Sequence, residues 1–343
     1  MLKLGISYFG SRIQRHVKED MADVVRHNCN FVVHTFSETD LEFYKGTMKE
    51  IVEISHGAGL EVWIDPWAVG GVFGGETYSK FIAQHLDVRQ ISAKGESLPA
   101  ACLNNKKFRL FMHSWIDASL EIGSDVLFWD EPHFYLYPLD EMERDLTLWA
   151  CRCDICRQAF KKQFGYEMPV ELNRDVRVFK EDSIVDFLKE MCDYTKGHRA
   201  VGSSGHSIKN AVCFLPFKGE LGGIMDWSKA ARIDSLDIVG VDPYWRPGEK
   251  DVAGFVRPFA KKIQELSKKY NKEGQIWILN FRIKKGAEKD VETAVMTAHE
   301  EGVRNLAAWS YLGTGCMSYL ASDDPQKVWD MLGLTFKKLC DKV

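Results

Sequence analysis

The chain has 343 residues, 45% hydrophobic and 12% aromatic, enough to bury a large core as one large domain or two ordinary ones. A formal net charge of −4 carries no basic excess of the kind that nucleic acid or an anionic membrane surface calls for. No apolar run is long enough to span a bilayer, and the opening MLKLGISYFG runs directly into a strand pattern instead of a signal peptide, so a soluble, cytoplasmic protein is expected.

Strand and helix patterns then alternate. Residues 2–9 (LKLGISYF) read as a first strand and 12–26, with apolar residues at helical spacing, as a first helix. Residues 31–36 (FVVHTF) form a second strand, 41–58 a helix ended by Gly59, and 61–65 (EVWID) a third strand. A long loop over 68–105 opens with GGVFGGE, which suits either a mobile lid or a tight structural loop. A helix over 106–122 leads to a fourth strand at 126–129. An insertion over 138–178 follows, then a helix at 183–196 and a fifth strand at 211–216 (AVCFLP). A sixth strand, 236–242 (LDIVGVD), precedes a helix at 252–270. A seventh strand, 276–280 (IWILN), precedes a helix at 291–301, and an eighth, 306–311 (LAAWSY), precedes a last helix at 325–342.

Eight short apolar strands with helices between most of them predict an α/β fold, a (β/α)8 TIM barrel with long loops after strands 3 and 4. A doubly wound open sheet is disfavoured, because no Gly-x-Gly-x-x-Gly follows the first strand. The reading is one barrel domain over 1–343, with 138–178 as an inserted metal knot. The oligomeric state stays open, a homo-oligomer included.

Chemistry in such a barrel belongs where the strands end. Those ends carry His34, Asp65, Trp67, Asp130, Glu131, His133, Asp242, Tyr244, Trp245, Asn280, Arg282 and Trp309. The set combines carboxylates for acid and base work with aromatic faces on which sugar C–H faces can stack. Glycoside hydrolysis needs one carboxyl to protonate the leaving oxygen and a second to attack the anomeric carbon or activate water. Glu131, followed by Pro132 at a strand end, is the candidate acid/base, and Asp242 the best-placed partner. Asp65, Trp67, Asp130, His133, Tyr244, Trp245, Asn280, Arg282 and Trp309 are the expected sugar contacts.

Asp130-Glu131-Pro132 resembles the Asn-Glu-Pro motif of the clan A glycoside hydrolases, and the resemblance implies that Glu131 is the acid/base. Asp130 stands where that clan has Asn. The clan's nucleophile is a Glu at the end of strand 7, where this chain has Asn280 and Arg282 and the nearest acid, Glu288, fits the start of the next helix.

Nine cysteines include the cluster Cys151-x-Cys153-x-x-Cys156, the spacing of a metal site more than of a disulfide framework. Three thiolates need a fourth ligand to close a structural zinc site. CLNNKKFR at Cys102 followed by CRCDICRQAF resembles the zinc region of family 42 glycoside hydrolases. That resemblance, over about Leu98 to Gly165, implies structural zinc on Cys102, Cys151, Cys153 and Cys156, in a relative of the clan rather than a member of that family. No organic cofactor is expected. The function expected is therefore a glycoside hydrolase acting on a carbohydrate. The alternatives are a carbohydrate-binding barrel that has lost its nucleophile, or a metal-dependent hydrolase or isomerase using His34, Asp65, Glu131 and Asp242.

Overall fold

The computed structural model describes residues 2–137, 145–198, 207–216 and 222–342. Eight parallel strands close into a barrel: β1 (Lys3–Tyr8), β2 (Phe31–Thr35), β3 (Glu61–Asp65), β4 (Val126–Asp130), β5 (Lys209–Phe214), β6 (Ile238–Val241), β7 (Glu273–Leu279) and β8 (Asn305–Trp309). Their order around the barrel follows the chain, and β8 pairs back onto β1 with Gly5 opposite Ala307. This is the predicted (β/α)8 architecture. No helix among the described residues is long and apolar enough to cross a membrane.

Alternation along each strand fills the interior. Phe31 stacks on Trp63 with centroids 4.7 Å apart, Trp63 tilts toward Phe128 at 6.2 Å, and Phe128 meets Trp277 at 5.0 Å. Four large rings in one layer need small neighbours. Gly5 provides one, since a Cβ there would lie 2.3 Å from the Phe31 ring. The buried indoles are satisfied below this layer, Trp63 by Glu61 at 2.6 Å and Trp277 by Gln275 at 3.0 Å. Two residues further along the same inward face come Asp65, Asp130 and, just past β6, Asp242, so the period of two that builds the core also aims carboxyls into the upper mouth.

The ends of the barrel are stitched together outside it. Tyr8 donates to Asp20 at 2.6 Å, and Tyr311 reaches Asp20 and Asp23 at 3.2 and 3.3 Å. Trp329, on the helix Pro325–Cys340, donates to Asp23 at 2.8 Å.

Two predicted regions differ. The loop over 68–105 contains a two-stranded antiparallel ribbon, Arg89–Ile91 with Ser97–Ala101, and a short helix, Lys80–Gln84. The helix placed at 183–196 begins earlier, running Arg174–Gly197, because the Asn173 side chain accepts from Val176 N and caps it. It therefore takes in the end of the expected insertion, whose residues 138–144 lie outside the described residues.

Phe128 is held between two indoles at the centre of the barrel, so Phe128→Ala leaves a cavity that rigid neighbours cannot refill. A loss of about 3–5 kcal/mol is expected, read as a lowered denaturation midpoint.

Candidate active site

β4 ends in Asp130, and the chain then turns through Glu131 with φ at +44°, a left-handed conformation uncommon for a side chain of this kind. The turn is tied on three sides. Glu131 N donates to Cys213 O on β5 at 3.0 Å, His133 N donates to Val72 O at 3.0 Å, and His133 Nδ1 bonds Glu131 O at 2.5 Å. Burial pushes the His133 imidazole below its ordinary range, which suits a neutral ring donating from Nδ1. His133 thus holds the backbone of Glu131.

The Gly-rich loop after β3 lies directly on these carboxyls. Gly74 N donates to Asp130 O at 3.2 Å, and a Cβ on Gly74 would sit 2.2 Å from Asp130 Oδ2. Gly75, at φ +134°, passes so close to Trp67 that a Cβ would strike the indole at 2.0 Å. The backbone crosses the mouth only as glycine, and it brings Glu76 to the rim. Glu38 fixes the loop from below, accepting from Gly70 N at 2.9 Å, Ser79 Oγ at 2.5 Å and Phe81 N at 2.6 Å. Of the two expectations for GGVFGGE, the tight structural loop is the one found.

Glu76, Asp130, Glu131 and Asp242 line a pocket of about 90 Å³ walled by Trp277 and Trp309. Tyr244 and Phe281 complete the wall, edge to face at 5.2 Å. Asp65 lies fully buried beside it. Burial raises all five carboxyls, and neighbouring acids add to it at Asp65, Asp130, Glu131 and Asp242. Asp65 stays protonated well above the usual carboxylate range, through burial first and then the charges of Asp130, Glu76 and Glu131. Asp130 is raised by burial and by Glu131 and Glu76. Glu131 is raised by burial, although a hydrogen bond from Asp242 works the other way. Asp242 is raised by burial, by Glu131 and Asp130, and by donating that hydrogen bond. Two carboxyls bonded to each other share a proton, as in any close carboxyl pair.

Unpaired polar atoms gather at the same level. Ser7 Oγ, Thr35 Oγ1, both oxygens of Asp65, Asp242 Oδ1 and Asn280 Oδ1 are buried with no hydrogen-bond partner among the described residues. Such atoms are costly in a dry core and are normal where water or a ligand enters.

The other expected contacts separate into two groups. Trp67 and Trp309 are joined through Phe9, each stacked on it at 5.3 Å, and form one aromatic wall. Arg282, at φ +51°, lies over the Tyr319 ring at 4.1 Å. Asn280 is buried, its amide bonded to Ser310 O at 2.9 Å. Trp245 is packed into the outer apolar core and does not line the pocket. His34, expected under the metal-dependent alternative, points outward: its Nε2 meets Ser55 at 2.8 Å, away from Asp65. Glu76 was missed. The available signal was an acid directly after two glycines in a strand-end loop.

A second cluster stands beside the mouth. The sulfurs of Cys102, Cys151, Cys153 and Cys156 lie within 4.8 Å of one another, with Cys102 3.5 Å from Cys156 and 3.6 Å from Cys153. Four thiolates tetrahedral about one metal at ~2.3 Å stand ~3.8 Å apart, so the donor set fits a metal ion. Ile91 N and Asn104 Nδ2 point at the sulfurs of Cys151 and Cys156, each at 3.4 Å, as donors to thiolate. Among the described residues this is the one His, Cys, Asp and Glu group tight enough to hold a metal. Cys102 leaves the ribbon, Cys151 follows Ala150, which bridges to Ser92 beside it, Cys153 is the N-cap of the helix Asp154–Phe164, and Cys156 lies in that helix's first turn. Gln90 of the ribbon accepts from Tyr135 N at 2.9 Å, which ties the knot to the segment that follows Glu131.

No protein-family model matches the chain, and no curated protein matches it. Its fold is similar to that of several solved glycoside hydrolases. The endo-1,4-β-mannanase of Rhizomucor miehei matches with a TM-score of 0.59 at 12% identity, over 98% of this chain and 95% of that one. The endo-1,4-β-D-mannanase of Thermotoga petrophila matches with 0.55 at 12%, over 98% and 100%. The GH5_18 protein of Streptomyces cattleya, in complex with GlcNAc, matches with 0.58 at 9%, over 100% and 81%. At such identities the likeness establishes the fold alone.

The carboxyl cluster makes stability depend on pH. An acid with a raised folded pKa binds more protons folded than unfolded, so its contribution is present below about pH 4 and lost as pH rises through the folded value. The melting temperature should therefore fall as pH rises from weakly acid to alkaline. Asp65→Asn removes one buried proton site and should flatten that fall, melting roughly 2 °C or more above the parent at alkaline pH. Calorimetry across the pH range reads both.

Proposed function

We propose that the protein is a glycoside hydrolase and that Glu131 is its general acid/base. The observation that carries this reading is a raised Glu131 carboxyl, hydrogen-bonded to Asp242, at the aromatic-walled mouth of a barrel whose fold is shared with mannanases. A general acid must keep its proton near neutral pH, and burial moves the Glu131 carboxyl in that direction. Asp242, held beside Glu131 and protonated, is suited to supply and retrieve that proton. Trp309 and Tyr244 offer faces for the sugar, and Asp130 and Asp65 offer hydroxyl contacts. The pocket is small against the ~300–1,000 Å³ of most ligand sites, so sugar entry requires the Glu131–Asp242 contact to open.

Glu131→Gln keeps the shape and removes the proton. Its kcat/KM on mannan and galactan oligosaccharides should fall by about 10²–10⁴-fold. The loss should be much smaller on dinitrophenyl glycosides, whose leaving group needs no proton. The binding-protein alternative is favoured by the absence of an acid at the end of β7, where Leu279 is followed by Asn280 and Phe281. It predicts equal sugar affinity in parent and variant, with no turnover by either.

We further propose zinc as the metal of the four-cysteine knot, in a structural role, because four thiolates leave no open position for water. Metal analysis should find one zinc per chain. Binding to the folded state alone stabilises by on the order of 4 kcal/mol at a thousandfold excess over Kd. Cys156→Ser or exhaustive chelation should lower the melting temperature accordingly, and added zinc should restore only the chelated parent.

A further inference from the structure

We propose that Glu76, carried across the mouth by the loop after β3, is the nucleophilic carboxylate that works opposite Glu131. This rests on the glycosidase reading and supplies the group that reading lacks.

Two geometric facts and one electrostatic one point to Glu76. First, β7 brings no acid to the mouth: Asn280 is bound to the Ser310 carbonyl, and Phe281 presents a ring to the pocket. Second, Glu76 lines the same pocket as Glu131, together with Trp277 of β7, Trp309 of β8 and Phe281 just past β7, although its own loop starts from β3. The loop reaches so far because Gly74 and Gly75 let the backbone lie on Asp130 and Trp67, and Glu38 clamps its base. Third, Asp242, the other available partner, is raised well above the usual carboxylate range by burial and by Glu131 and Asp130, which disfavours the charged form that a nucleophile needs.

The surroundings of the carboxyls differ in sign. Burial raises the Glu76 carboxyl, while the Trp67 indole N–H, approaching without a closed hydrogen bond, and the Arg282 guanidinium draw it back toward the ionised form. At Asp65, Asp130 and Asp242 the neighbouring charges all push the other way. A carboxyl with a guanidinium near it is better placed than these to carry the negative charge of a nucleophile.

The step balances without a co-reactant. A Glu76 oxygen forms the bond to the anomeric carbon as the glycosidic C–O bond breaks. The bonding pair goes to the leaving oxygen, which takes the Glu131 proton. Water then attacks the anomeric carbon, gives a proton to the Glu131 carboxylate, and releases Glu76 as the carboxylate.

The test uses the whole protein with dinitrophenyl β-mannoside and β-galactoside, and with their deoxyfluoro analogues, which trap a glycosyl ester. Peptide mapping of the parent should find the sugar on the peptide carrying Glu76. Glu76→Ala, a change at an exposed rim position, should fold as the parent does and lose on the order of 10³-fold or more in kcat. Added azide should restore turnover and give a glycosyl azide of inverted configuration. A label on Asp242 or Asp130, or an unimpaired Glu76→Ala, overturns the assignment and leaves the glycosidase reading standing. Neither turnover nor label with any of these probes overturns both.

Discussion

Burial of carboxyls that also face one another at the barrel mouth is the constraint on which the rest of this structure depends. Asp65, Asp130 and Asp242 reach the mouth because the inward period of two continues past the aromatic layer, and Glu131 and Glu76 join them from the adjoining turns. Fully buried acids that face one another, as Asp65, Asp130 and Asp242 do, favour their protonated forms, and holding them there costs stability. The barrel carries that load on the packed layer beneath, where Phe31, Trp63, Phe128 and Trp277 fill the interior. Perturbed acids clustered in a cleft mark a candidate functional site.

Two separate devices keep the acids in register. The Glu38 carboxylate collects three donors from the loop after β3, so the glycine pair is fixed against Asp130. On the other side, the cysteine knot holds the ribbon, and Gln90 of the ribbon holds the segment beyond Glu131. The left-handed turn at Glu131 is therefore braced by β5, by Val72 and by His133 at once. A strained backbone persists only where its surroundings over-determine it, and here they do so on every side of one carboxylate.

The barrel was legible in the sequence because its signal is repeated: eight short apolar runs each announce an inward face. Glu131 was legible because a Glu-Pro at a strand end is a local pattern, and the cysteine group because its spacing survives any fold. The ribbon was not, because Arg89–Ile91 is short and its partner Ser97–Ala101 contains Pro99; tertiary pairing, not propensity, makes them strands. Trp245 and His133 share the strand-end positions of real pocket residues, and only packing separates a wall from a core or a brace. Glu76 stayed hidden because its position depends on how far a glycine loop travels, which no local pattern encodes.

The stitching of Tyr8, Tyr311 and Trp329 onto Asp20 and Asp23 has a temporal consequence. During synthesis β1 emerges first and its neighbour β8 last, nearly the whole sequence apart. Until then the first strand has an open edge and the mouth has no closed rim. Contacts of such long sequence separation form slowly, because the chain gives up its loop entropy before the pairing rewards it. The acids do not wait for that seam, because β3, β4 and β6 belong to one consecutive run of the sheet. What the seam and the helix Pro325–Cys340 add is the closed rim around them.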